Sequence, residues 1–319
     1  MADSHSTKHC ALGLDLGGTK IAAGLCREGQ IIRKTIVPTR SDLAPEEVID
    51  AMAAACREVM SGWDGEPIRG VGVGAAGQID AATGTVLYAP NLRWSDVPLG
   101  SSLSRKLDLP VKVVNDVRAA TVAEWKFGAG KGIEHFVNIF LGTGIGSGFV
   151  LNGRLLEGVT NSAGEIGHIC MDPEGPVCGC GKKGCLEAFS SGRGVENIVK
   201  KKLQAGERSL IAELVQGDWD KVRGPIIGQA ARNGDPLALE VLLQAGTVLG
   251  RALANVHSML NPKIILLGGG FMALQEFFLP ACERALIEHV LPVAKRPDLL
   301  GRAEFTTDAG IIGSSALFA

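Results

Sequence analysis

Two stretches of this chain follow one plan. ALGLDLGGTKIAAGLCREGQIIRKTIVPT, beginning at residue 11, reads as an apolar strand, a glycine turn, a second strand, a polar turn at Arg27–Gln30 and a third strand. HFVNIFLGTGIGSGFVLNGRLLEG, beginning at residue 135, repeats strand, glycine turn, strand, Asn-Gly turn and strand. Short alternating runs punctuated by glycine turns are the pattern of a β-meander. Two meanders of one plan, without clear sequence identity, predict a structural duplication. The fold class is therefore α/β, with two duplicated domains around a cleft.

The segments between them fit that plan. Residues 45–61 begin with Pro at a first helical position, and Val48, Ile49, Met52, Ala55, Cys56 and Val59 follow helical spacing. IRGVGVGAA is a short β-rich run, and the stretch from there to Trp94 is rich in turns. VPLGSSLSRKLDLP holds a short helix, VKVVND is a buried strand, and RAATVAEWKFGAG is a helix stopping at Gly128. Residues from about 192 to 260 are mostly helical, NPKIILLGGG is a strand entering a glycine turn, and DAGIIGSSALFA is a terminal helix. With 319 residues, 46% of them hydrophobic, the chain has enough apolar surface for two cores. The expected division is a flexible tail at 1–10, a small α/β domain of 11–114 plus about 306–319, and a large α/β domain of 115–305.

Charge narrows the partners. The 32 basic and 34 acidic residues leave a net charge of −2, so no basic face is expected and neither nucleic acid nor a membrane is an expected partner. The N-terminal MADSHSTKHC lacks the apolar core of a signal peptide. The most apolar stretch, AGTVLGRALANVHSMLNPKIILLGGG, is interrupted by Arg251, His257, Pro262 and Lys263, so no membrane span is expected. The expected compartment is the cytoplasm.

Eight cysteines are many for that compartment. Cys10, Cys26, Cys56 and Cys282 sit singly among apolar neighbours, as buried thiols do. GHICMDPEGPVCGCGKKGCLE, residues 167–187, holds the other four. A disulfide knot, a redox centre and a structural metal site all use such clusters. His168, Cys178, Cys180 and Cys185 are spaced H-x9-C-x-C-x4-C, and three thiolates with one imidazole suit a closed tetrahedral zinc site. A reducing cytosol disfavours disulfides, and the C-x-x-C of redox centres is absent. Cys170 is left over, as a buried thiol.

Three glycine turns are candidate phosphate sites. In DLGGTK, Asp15 ends a strand where a carboxylate can hold a metal ion or its water, Gly17 and Gly18 let backbone N–H groups approach phosphate, and Thr19 and Lys20 can reach its oxygens. A plain hairpin turn is the alternative. It is not a P-loop, because Thr-Lys replaces Lys-Thr and a strand follows. In LGTGIGSG, the glycines 142, 144, 146 and 148 alternate, baring one strand face, and Thr143 offers a hydroxyl. LGGG, with Gly269 and Gly270, ends a buried strand where ligands of α/β sheets collect. Three such turns on one cleft point to a nucleoside triphosphate. Asn115 and Asp116 end another strand, where Asp116 is either a general base or a helix N-cap. Glu165 and Glu187 flank the cysteine cluster, as sugar-hydroxyl acceptors or as solvated surface.

In order, DLGGTK, APNL at 89–92, ND at 115–116, LGTGIGSG, EIGH at 165–168, CGCGKKGC at 178–185 and LGGG at 267–270 resemble the ROK family of repressors and sugar kinases, most nearly its bacterial glucokinases. The likeness runs from about residue 11 to the C-terminus. It implies an actin-like ATPase (ribonuclease H-like) fold that closes on a sugar, with ATP, Mg2+ and a structural Zn2+. It implies a kinase acting on the 6-hydroxyl of glucose, or of N-acetylmannosamine, fructose, mannose or N-acetylglucosamine. A sugar sensor without turnover is a third reading. By the same resemblance Asp116 is the base, and Asn91, Asn115, Asp116, Glu165, His168 and Glu187 contact the sugar. Asp15, Gly17, Gly18, Thr19 and Lys20 form the first phosphate motif. Gly142, Thr143, Gly144 and Gly146 form the second, and Gly269 and Gly270 the adenosine motif. A homodimer or homotetramer is implied. Two departures stand out. The kinase motif starts at residue 12, which leaves no room for the repressors' DNA-binding domain. AAGQID also stands where many relatives have Pro-Gly, with Gly77 kept.

Overall fold

The computed structural model describes residues 9–319. The first meander forms as read: β1 (Cys10–Leu16), β2 (Lys20–Arg27) and β3 (Gln30–Pro38) are antiparallel neighbours. In α1 (Pro45–Met60), Glu46 and Glu47 occupy the first turn, where the helix dipole favours acidic groups. β4 (Ile68–Ala75) returns parallel to β1. The stretch read as turns instead contains a small antiparallel sheet of β5 (Gln78–Asp80), β6 (Thr85–Ala89) and β7 (Trp94–Val97). Its strands are three to five residues long, too short for a periodic signal. α2 (Leu99–Leu107) leads into β8 (Val111–Asn115), parallel to β4, and α3 (Asp116–Phe127) stops at Gly128.

The second meander gives β9 (Phe136–Leu141), β10 (Ile145–Leu151) and β11 (Arg154–Leu155). Helices α4 (Leu186–Ser190), α5 (Gly192–Gln204), α6 (Leu210–Leu214), α7 (Gly224–Arg232) and α8 (Pro236–Leu260) follow. Then come β12 (Ile264–Gly268), α9 (Gln275–His289), β13 (Leu300–Arg302) and α10 (Ala309–Ser315). One five-stranded sheet is ordered β3-β2-β1-β4-β8 and the other β11-β10-β9-β12-β13. Counted within each sheet, both run third, second, first, fourth, fifth. The duplication therefore extends to all five strands.

The strands of the first sheet explain how α10 and α3 reach it. Leu12, Leu14 and Leu16 of β1, Ile21, Ala23 and Leu25 of β2, and Val71, Val73 and Ala75 of β4 share a core with α1 and α2. Because side chains alternate across a strand, Gly13, Gly24, Gly72 and Gly74 fall on the opposite face. There α10 lies directly on bare backbone. A Cβ on Gly13 would meet Ile311 O at 1.9 Å, and one on Gly72 would meet Ser314 O at 1.8 Å. Ser314 Oγ donates to Leu14 O at 3.1 Å, so the buried hydroxyl is satisfied. The alternate positions of these strands serve as a seat for a helix rather than as a core face.

By contacts the chain forms two compact units. One takes residues up to 134 with 148–163 and 303–319, and the other takes 135–147 and 164–302. This differs from the expected division, which put residues 115–134 in the large domain. α3 packs on α10, β4 and β8, so it belongs with the first sheet. Cys10, expected in the tail, is a buried residue of β1. The rest of that tail, residues 1–8, lies outside the described residues. α8 corrects another expectation: it is continuous through Arg251 and His257, and long and apolar enough to cross a membrane. In its most apolar window 61% of the residues are buried, against α4, α5, α7 and α9. That is the pattern of a core helix.

Candidate active site

In the first unit, parallel strands β1, β4 and β8 bring the DLGGTK turn, Asn91 and the Asn115–Asp116 pair together. Asp15 stands on the glycine face of β1, and a Cβ on Gly310 would lie 2.7 Å from its Cγ. Only glycine at the start of α10 leaves room for that carboxyl group. The turn beyond it is fixed by Gly17 N–H donating to Lys20 O at 3.0 Å, Thr39 N–H to Thr19 O at 2.9 Å and Thr39 Oγ1 to Gly17 O at 2.8 Å. Gly18 packs on Asn91, whose Cβ would be 3.3 Å from an added Cβ. Thr19 and Lys20 are exposed.

Asn115, not Asp116, caps α3. Its Oδ1 accepts from Val117 N at 3.0 Å and Arg118 N at 3.3 Å, and its Nδ2 donates to Gly77 O at 3.2 Å. Both ends of the amide are therefore engaged. The Gly77 turn needs glycine, with φ +128° and Tyr88 O 2.5 Å from an added Cβ. Asp116 follows as the first helical residue, half-buried, its Oδ1 accepting from Val117 N at 2.9 Å. Burial pushes its carboxyl above the ordinary aspartate range, against the pull of that hydrogen bond. Asp15 is raised too, first by burial and then by the charge of Asp116, with Lys20 opposing.

In the second unit, the LGTGIGSG turn is closed by Gly142 N–H donating to Gly144 O at 2.9 Å. The start of α5 holds its outer side, through Gly192 N–H to Gly142 O at 2.8 Å and Arg193 N–H to Thr143 O at 3.2 Å. Glu187 holds its inner side: Oε2 accepts from Ile145 N at 2.9 Å and lies 2.3 Å from where a Gly144 Cβ would be. The same carboxylate has Oε1 3.6 Å from Cys178 Sγ. Glu187 thus ties the glycine turn to the cysteine cluster. Gly146 continues into β10.

The cluster assembles as spaced. The ligand atoms of His168, Cys178, Cys180 and Cys185 all lie within 4.8 Å of one another. Cys180 Sγ is 3.7 Å from Cys185 Sγ, and Cys178 Sγ is 3.8 Å from His168 Nδ1. A tetrahedron with 2.3 Å metal–sulfur bonds has edges of about 3.8 Å, so the donor set fits a small tetrahedral ion. A disulfide needs about 2.05 Å, and all eight cysteines are free. Two bridges, Cys170 with Cys185 and Val177 with Lys183, frame the loop. Gly184, at φ +69°, would place a Cβ 1.6 Å from Asp172 O and admits no side chain. Cys170 is exposed rather than buried, its Sγ 3.8 Å from Lys183 O. It is not among the four residues whose ligand atoms converge. Glu165 precedes the 3-10 turn Ile166–His168 and His168 ends it, both exposed.

The second and third glycine turns meet in one cavity of about 890 Å³. Gly142 and Thr143 line one part, and Gly270 with Phe271 and Leu274 another. Gly269, at φ +94°, lies against Leu141, where a Cβ would be 2.4 Å from the carbonyl oxygen. The first turn, DLGGTK, belongs to the other unit. Sequence reasoning missed the polar wall of this cavity: Arg193, Glu196, Asn197 and Lys200 of α5, with Arg223 at the start of α7. Their i, i+3, i+4, i+7 spacing was the available signal, and it reads equally well as a solvated helix face.

The ROK family model matches residues 11–319. A glucokinase of Streptomyces coelicolor is 36% identical over 311 residues, covering 96% of each chain. An N-acetylmannosamine kinase of Escherichia coli O157:H7 is 33% identical over 311 residues, 96% of this chain and 97% of that one. The crystal structure of a ROK family glucokinase from Streptomyces griseus, in complex with glucose and AMPPNP, superposes with a TM-score of 0.80 at 34% identity, covering 97% of this chain and 98% of that one. The fold is accordingly the actin-like ATPase fold, built from two α/β domains.

Proposed function

The chain belongs to the ROK family, and we propose that it is an ATP-dependent hexose kinase that phosphorylates the 6-hydroxyl of glucose. The observation that carries this reading is Asp116. Asn115 takes over the capping of α3, and Asp116 stands at the carboxyl end of β8 with a half-buried, proton-seeking carboxylate. In the proposed step Asp116 accepts the proton of the sugar 6-hydroxyl. The freed oxygen attacks the γ-phosphorus in line, the bond to the β,γ-bridging oxygen breaks, and ADP leaves. Positioning and charge stabilisation supply most of the acceleration.

The glycine turns of DLGGTK and LGTGIGSG and the cavity at Gly269 and Gly270 are the proposed triphosphate and adenosine sites. Asp15 would hold Mg2+ or its water, which neutralises charge on the phosphates. Asn91, Asn115, Glu165, His168 and Glu187 are the proposed sugar wall. His168, Cys178, Cys180 and Cys185 would hold a structural Zn2+. His168 Nδ1 faces Cys178, which leaves Nε2 for a sugar hydroxyl. Family resemblance adds a cytoplasmic homodimer or homotetramer.

The N-acetylmannosamine kinase relative keeps a second sugar in play. The test is ADP release from Mg-ATP across a panel of hexoses and N-acetylhexosamines, with Asp116→Asn as control. Glucose should be turned over far faster than the rest, and the control should be nearly silent. Preference for another sugar changes the substrate and keeps the mechanism. Sugar binding with no turnover on any sugar would make the protein a sensor and end the kinase reading.

A further inference from the structure

The cavity of the second unit holds a carboxylate that the kinase reading leaves without a task. Glu196 lines it from α5, one helical turn, about 5 Å, beyond Arg193. Arg193 N–H already donates to Thr143 O in the proposed phosphate turn. A negative group here repels a triphosphate, and its side chain is only 19% exposed, so water compensates it poorly. Oε1 accepts one hydrogen bond, from Gly224 N at 3.1 Å. Arg223 Nη1 stands 3.9 Å from Oε2, near enough to favour the charge but beyond hydrogen bonding. An ionised carboxylate has about four acceptor positions, and among the described residues no donor is recorded on Oε2.

The surroundings define what would fill them. Gly142, Thr143 and Arg193 lie on the phosphate side, and Phe271 and Leu274 offer an apolar surface to a flat ring. A neutral group with two adjacent hydroxyl donors is what a nucleotide carries between its phosphates and its base. We infer that Glu196 selects ribonucleotides, its carboxylate accepting hydrogen bonds from the vicinal ribose hydroxyls of the phosphoryl donor. Glu196 is a specificity residue, remote from the transferred phosphoryl group. The inference rests on the kinase reading.

The test compares kcat/KM for ATP, 2′-deoxyATP and 3′-deoxyATP, at saturating sugar, in the wild type, Glu196→Ala and Glu196→Gln. A hydroxyl–carboxylate hydrogen bond predicts a loss of about tenfold or more for at least one deoxynucleotide in the wild type. In Glu196→Ala the three donors should fall within about threefold of one another. Glu196→Gln keeps an acceptor for Gly224 N–H and should fold normally, with discrimination reduced. If Glu196 only anchors Gly224, the variants weaken all three donors equally and the wild-type ratio survives, which overturns the inference. A wild type that uses all three alike overturns it as well. Failure of ATP itself as donor would instead end the kinase reading, and this inference with it.

Discussion

At the scale of the residue, the site turns on which member of Asn115–Asp116 does which task. A bare N-D at a strand end is equally a cap or a base, because both roles need a short side chain with an oxygen at the same place. Asn115 takes the cap and Asp116 keeps a carboxylate whose protonated form is favoured by burial. The pH dependence follows. As the proposed base, Asp116 would work only when ionised, so the acid limb of kcat/KM should lie above the ordinary aspartate pKa of 3.8. Asp116→Asn should cost on the order of 10²–10⁴ in kcat, measured as ADP release; near-normal turnover would refute the assignment. The same substitution should raise the melting temperature. The folded-state pKa is above the unfolded one, so the proton's stabilising contribution is present at low pH and lost as pH rises through the raised value. Ionised Asp116 therefore destabilises the fold at neutral pH, and a neutral amide relieves that cost.

At the scale of the element, alternation decides what each face of the first sheet can seat. Along β1, β2 and β4 one face is aliphatic and the other carries the glycines, and Asp15 belongs to that second face. Gly72→Ala would drive a methyl group into Ser314 O, 1.8 Å away on a helix backbone that cannot rotate aside. α10 must lift, at about 2–4 kcal/mol, read as a lowered melting temperature. Sequence inspection recovered these strands, since their aliphatic face is periodic. It did not disclose what the glycines were for, because α10 is distant in the chain. The cysteine loop is the opposite case. Its ligands and turn glycines lie within residues 165–187, and the spacing alone predicts the cluster that forms. One zinc per chain is expected by metal analysis. Its removal by a chelator should raise KM for the sugar before KM for ATP, since Glu187 and His168 lose their support. Full activity without zinc would exclude the role.

At the scale of the whole molecule, the repeated meander was the legible part. Two like strand patterns predicted two α/β domains, and the two sheets share a strand order through all five members. The family motifs added DLGGTK, Asn115–Asp116 and the cysteine loop, all short and contiguous. The division of the chain into units was less legible. Residues 148–163 and 303–319 join the first unit only through contacts such as those of Arg118 with Asn161 and of Phe305 with Glu124. The sequence by itself determined the α/β class, the duplication and the spacing of the histidine–cysteine cluster. These are encoded in neighbouring residues, through strand period, turn chemistry and ligand geometry. Only the tertiary structure decided that Asn115 caps, that Glu187 braces the glycine turn, that α10 sits on strand backbone and that Glu196 lines the cavity of the second unit. Each of those depends on which distant backbone or side chain arrives to satisfy a polar atom or fill a missing Cβ, and no local pattern carries that information.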